Sequence, residues 1–119
     1  MTTFAQLNRA IGRSHLRGST RSALSALVFV CYGPRSSRTG VSRNRRGDLQ
    51  PVTYGEISKL MWHGHSEETV ARAVDRLVDA GLVQRVKRTR VGWIWAVNAA
   101  AVLALGPASA VAKCSEMEA

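Results

Sequence analysis

Apolar positions in the chain recur with two periods, and the change from one to the other outlines the elements. Thr53-Tyr54-Gly55-Glu56 has the form of a capping box. There the Thr oxygen accepts the third helical N–H and the Glu reaches back to the cap. Ile57, Leu60 and Met61 follow at helical spacing and Gly64 ends that pattern. Ser66 is a second N-cap, and Glu67 and Glu68 place negative charge where a helix N-terminus favours it. Val70, Val74, Leu77 and Val78 then make one apolar stripe, and Gly81 stands where the helix should end. Leu82 to Lys87 and Gly92 to Val97 are rich in β-branched and aromatic residues, so the period changes to that of a strand pair. The four residues between them hold Arg88 and Arg90 and suit a hairpin connection. Nearer the start, Thr3-Phe4-Ala5-Gln6 is another capping box, with Phe4, Leu7 and Ile11 as a stripe before Gly12. Asn98 caps a predicted helix over Ala99 to Leu105, and Gly106-Pro107 separates it from a second short one.

These elements predict a mainly α fold with a small β-hairpin. With 119 residues and 45% hydrophobic side chains, one domain with a single core is expected. Residues 1–18 form an N-terminal helical part, 19–98 the core with a basic loop at 34–50, and 99–119 the C-terminal helices. The longest apolar run, Ala26 to Tyr32, falls far short of the roughly 20 residues of a bilayer helix, so no membrane partner is expected. The first residues lack the charged leader and long apolar stretch of a signal peptide. Cys31 lies in the apolar run as a small hydrophobe, and with Cys114 the only other cysteine a disulfide is not expected; a reducing cytoplasm fits.

The order helix, turn, helix, hairpin carries a family resemblance. The run SEETVARAVDRLVDAGLVQRVKR resembles the second helix and first wing strand of winged helix-turn-helix regulators, including the multiple-antibiotic-resistance type. From about residue 19 the chain also resembles the winged helices of plasmid and phage replication initiators. In these an apolar first helix, here SALSALVFVCY, precedes a polar loop with Gly and Pro, here RNRRGDLQPVT. The most specific piece is T-V-x-R-x-V-x-x-L-x-x-A-G-L-V at Thr69 to Val83. The resemblance implies a winged helix-turn-helix with extra N- and C-terminal helices, one helix entering the DNA major groove and the wing resting on the backbone. It speaks to fold more than to role. The chain departs from the pattern in a turn, Trp62-His63-Gly64-His65, about two residues longer than usual, and in Glu67 and Glu68 at the start of the expected recognition helix.

Charge sharpens this reading. The net charge is +9, and residues 1–47 hold nine Arg and no acid, whereas residues 48–119 balance eight bases with eight acids. Arg35, Arg38, Arg43, Arg45 and Arg46 share one Gly/Ser-rich loop. With no acid to pair them and no apolar anchor apart from Val41, the loop is expected to be mobile in the free protein and to gain order on a polyanion. Its deletion from Ser36 to Arg46 is expected to leave the fold intact. Contacts to phosphates would add affinity without sequence information; the bland alternative is a solvated, solubilising loop. A second basic cluster, Arg85, Lys87, Arg88 and Arg90, sits on the hairpin, which suits backbone or minor-groove contact.

On the second helix, Ser66, Glu67, Thr69, Arg72 and Arg76 lie on the polar face and are candidates for base or phosphate contact. Glu68, four before Arg72, and Asp75 and Asp79, flanking Arg76, are positioned to neutralise both arginines instead. Trp93 and Trp95 share a strand face with Val97; they are expected to cover the core, with base stacking as the alternative. His63 and His65 lack a third ligand nearby, so no metal is expected. No nucleophile–base set, glycine-rich phosphate loop or carboxylate pair appears, and neither catalysis nor a cofactor is expected. The terminal stripes suggest a homodimer, with packing on their own domain as the alternative.

The expectation from sequence is therefore a small transcriptional regulator binding duplex DNA. Its alternatives are an origin-binding replication-initiator or partition module, an RNA- or ribosome-bound protein, and an interaction domain that has lost DNA binding.

Overall fold

In the computed structural model, residues 3–61 and 65–105 are described. They form α1 (Phe4–Arg13), α2 (Gly18–Tyr32), α3 (Tyr54–Leu60), α4 (Glu67–Asp79), β1 (Val83–Arg88), β2 (Trp93–Val97) and α5 (Ala99–Leu103). The described architecture is thus five helices and one antiparallel two-stranded hairpin. Trp62, His63 and Gly64 of the turn expected to be long, the second C-terminal helix and Cys114 lie outside the described residues.

The caps explain most helix boundaries. Thr3 and Gln6 form the complete reciprocal box at α1, and Ser66 and Asn98 accept the N–H of Thr69 and Ala101. The box at α3 is half formed. Thr53 Oγ1 accepts the Glu56 N–H at 3.1 Å, but the Glu56 carboxylate takes the Thr53 hydroxyl rather than reaching the backbone. At the end of α4, Gly81 adopts φ 76°. Leu82 N–H reaches the Leu77 carbonyl and Gly81 N–H that of Val78, both at 3.0 Å. This is the Schellman arrangement, and the left-handed residue it needs is supplied here by glycine.

The core lies where α1, α2, α4 and β2 meet. Leu7, Leu24, Leu27, Val28, Ile57, Val70, Val74, Leu77, Trp95 and Val102 have no exposed surface. Leu60, grouped with Ile57 and Met61 from sequence, is instead 42% exposed, because α3 is only two turns long and turns Ile57 inward. Among the described residues no helix is long and apolar enough to cross a membrane.

The largest departure from the sequence reading is the loop between α2 and α3. Far from lacking anchors, it is bonded along the edge of β2 that β1 leaves open. Ser42 N–H donates to the Trp95 carbonyl at 2.8 Å and Val97 N–H to the Gly40 carbonyl at 2.8 Å. The Trp95 N–H in turn donates to the Ser42 hydroxyl at 2.9 Å. Beyond the arginine turn, Val52 N–H bonds the Trp93 carbonyl and the Trp95 indole N–H bonds the Val52 carbonyl. An open strand edge carries polar groups that must be satisfied, and here the loop's backbone does so. Ser42 is consequently fully buried. Gly40 has φ 86°, and a Cβ there would sit 2.7 Å from the Tyr32 hydroxyl, so only glycine allows the loop to close over the end of α2. Deleting Ser36 to Arg46 would remove Gly40 and Ser42 and expose this edge. The expectation that the fold survives such a deletion is corrected accordingly.

Candidate functional site

The loop presents its arginines from a hydrogen-bonded turn. Gly47 N–H bonds the Asn44 carbonyl at 3.0 Å, and Asn44 Oδ1 accepts from the N–H groups of Arg46 and Asp48. Asn and Gly are the residues that make such turns inexpensive. Arg43 donates to the Gly47 carbonyl at 2.6 Å and Arg45 Nε to the Pro34 carbonyl at 2.8 Å. These bonds fix side chains without neutralising them. Arg35, Arg38, Arg45 and Arg46 are exposed and Arg43 is half-buried. The ion pairs among the described residues are Arg72–Glu68 and Arg85–Asp75, so none involves the loop.

The hairpin's basic residues divide into two groups. Register slips between Arg85 and Lys87, leaving Val86 as an extra residue in β1. Strict alternation would put Lys87 beside Arg85 on one face. The bulge changes the parity, so Arg88 pairs opposite Trp93 and Arg85 opposite Trp95. Arg85 then turns inward. It ion-pairs with Asp75 of α4, donates to the Tyr54 hydroxyl at 2.9 Å, and lies 5.8 and 5.6 Å from the ring centres of Trp93 and Trp95. Burial works against its charge, but the bonds to Asp75 and Tyr54 outweigh that and hold its pKa above the ordinary value. Arg85, grouped with the wing contacts from sequence, therefore ties α3 and α4 to the hairpin, and its guanidinium is already engaged. Lys87, Arg88 and Arg90 remain exposed, with Arg88 5.9 Å from the Trp93 ring centre.

The expected reading face of α4 is also rearranged. Ser66 and Thr69 bond each other at the cap. Glu67 leans back over α3, its Oε1 only 2.8 Å from where a Cβ of Gly55 would be. Glu68 and Arg72 pair at 2.7 Å, but both are more than 70% exposed, so the pair is worth little and is readily exchanged for another anion. Asp75 bonds Arg85 and does not pair with Arg76. Arg76 is exposed and has no carboxylate partner among the described residues.

Trp95 is buried, with Val97, as the core reading required; Trp93 is half-buried; Ile94, on the opposite face, is buried too. Cys31 is buried and its thiol is pushed up to about 12 by desolvation, so it stays protonated and unreactive. No group of three metal-ligating side chains occurs among the described residues; His63 lies outside them. Leu7 and Ile11 of the N-terminal stripe, expected to serve a homodimer, are buried within the chain together with Val102 of α5, where α1 packs on α2 and α5. Sequence reasoning missed Tyr54, Asp75 and Asn44. Asn44 has a local signal, since an Asn three residues before a Gly forms such turns. The Tyr54–Asp75–Arg85 cluster has none, because its members are distant in sequence. In comparisons with known proteins, no family model matches the chain, and neither a curated protein nor a solved structure matches it.

Proposed function

We propose that this chain is a winged helix-turn-helix protein that binds duplex DNA, most simply as a small transcriptional regulator. The observation that carries the reading is the set of exposed basic groups without carboxylate partners among the described residues: Arg35, Arg38, Arg45 and Arg46 on the loop, and Lys87, Arg88 and Arg90 on the hairpin. Such groups suit phosphate contact. The element order supports the fold assignment: α2, a short bridging segment on the β2 edge, α3, α4, then the hairpin. In this reading α4 faces the major groove with Arg76 and, once released from Glu68, Arg72; Ser66, Thr69 and Glu67 mainly shape the helix start. Arg85 positions the wing and does not touch DNA. The loop between α2 and α3 favours a second role, binding at a replication origin, which uses the same surface. Among the described residues, a homodimer through the terminal helices would rest on the exposed Leu103 and the half-buried Phe4 and Leu105, since Leu7, Ile11 and Val102 are buried within the chain.

The test is affinity for a random-sequence duplex, a single strand and a structured RNA across a salt series. With about five or more phosphates contacted, log K for the duplex is expected to fall with a slope near −4 or steeper against log salt. Absence of duplex binding at low salt, or tighter binding to RNA, would overturn the reading.

A further inference from the structure

We propose that the arginine turn is a preformed site for a single phosphate group. This deepens the DNA-binding reading and rests on it for biological context, but the site stands on its own geometry. Arg35, Asn44, Arg45 and Arg46 line an open hollow of about 410 Å³. Three guanidinium groups around one hollow repel one another, and no ion pair within the described residues relieves them. A mobile loop would relax by separating the charges. This one is held: the Asn44 side chain bonds two backbone N–H groups of the turn, and the turn's flanks bond Ser37 and Ser42.

Arg45 shows the design most clearly. Its Nε is committed to the Pro34 carbonyl at 2.8 Å, which fixes the direction of the guanidinium and leaves its terminal N–H groups without a partner among the described residues. The side chains of Arg35 and Arg46 are exposed and make no hydrogen bond among the described residues. The nearby carboxylate, Asp48, accepts from the Asn44 amide at 3.3 Å and forms no ion pair with an arginine. The result is a shallow, cationic recess in which the backbone turn and the Arg45 guanidinium are held in place and the exposed Arg35 and Arg46 side chains flank them. Guanidinium forks match the oxygens of a phosphate in bidentate fashion, and rigid presentation lowers the ordering cost of binding. The ligand is a phosphate oxyanion, from either an internal phosphodiester or a phosphorylated strand end. The excess of positive charge favours the dianion of a strand end.

The experiment is a titration of the full chain with inorganic phosphate, against chloride at matched ionic strength, followed by backbone and arginine Nε NMR signals. Saturable shifts are expected at residues 35 and 44–46 with phosphate and not with chloride. Arg35→Ala and Arg46→Ala, whose side chains support nothing in the fold, are each expected to weaken phosphate binding about tenfold, as loss of a charge-assisted contact does. Arg88→Ala, on the hairpin, is expected to leave it unchanged. A duplex with 5′-phosphates, compared with one bearing 5′-hydroxyls, distinguishes the two sources: tighter binding of the former assigns a strand end, and equal binding assigns an internal phosphodiester. Non-saturating shifts, shifts equal with chloride, or loss of binding in Arg88→Ala alone would overturn the site. Duplex binding that persists with its steep salt slope would show in that case that the DNA-binding reading stands without it. Saturable phosphate binding without duplex binding would show the reverse.

Discussion

The arginines on the two sides of β2 differ in what their guanidinium groups touch. On the free-edge side, Arg43 and Arg45 bond backbone carbonyls, and Arg35, Arg38 and Arg46 point to solvent. On the β1 side, Arg85 is paired with Asp75, bonded to Tyr54 and packed near two tryptophans. A carbonyl partner orients a cation and leaves its charge available; a carboxylate partner consumes it. Two clusters of similar composition are therefore left in different states: one keeps its charges available, and the other is partly built into the fold.

Substitutions can break this comparison, and the largest effect is expected where both sides meet. Trp95 is fully buried, bonded through its indole to Val52 and tilted against Tyr54 with ring centres 6.0 Å apart. Trp95→Ala is expected to cost about 3–5 kcal/mol in denaturant unfolding. Loss of under 1 kcal/mol would mean that the loop and hairpin are not joined through it. Ser42→Ala is next: it leaves the buried Trp95 N–H without its acceptor, and about 1–3 kcal/mol is expected to be lost. Were stability unchanged, the loop's attachment to β2 would be in error. Arg85→Ala is expected to cost about 1–2 kcal/mol, chiefly in hydrogen bonds and ring contacts, since Asp75 is 60% exposed and can rehydrate. Arg35→Ala and Arg46→Ala should each stay within about 0.5 kcal/mol of wild type. Equal destabilisation in both groups would erase the distinction.

Much of this fold was legible because its signals are local. Caps at Thr3, Ser66 and Asn98, the stripe Val70–Val74–Leu77 and the stop at Gly81 each depend on neighbours within four residues. What the sequence hid depends on distant partners. The loop's anchors are backbone groups meeting β2 some 50 residues away, and backbone bonds leave no mark in hydropathy. The bulge at Val86 decides that Arg88, not Lys87, shares a face with Arg85, and alternation alone gives the opposite answer. The basic character of the candidate surface was readable from Arg spacing; which arginines remain available was not, because Asp75 and Tyr54 had to be brought to Arg85 by the fold.

The most direct test of the central claim is the salt dependence of duplex binding in two variants compared with wild type. The triple replacement Arg35→Ala, Arg45→Ala and Arg46→Ala is expected to flatten the slope of log K against log salt by about 2–3, each lost phosphate contact contributing roughly 0.9. Arg85→Ala, measured where it is fully folded, is expected to weaken binding, if at all, without changing the slope. A triple variant with the wild-type slope, or an Arg85→Ala variant whose slope flattens as much as the triple's, would contradict the division of labour between the two arginine clusters.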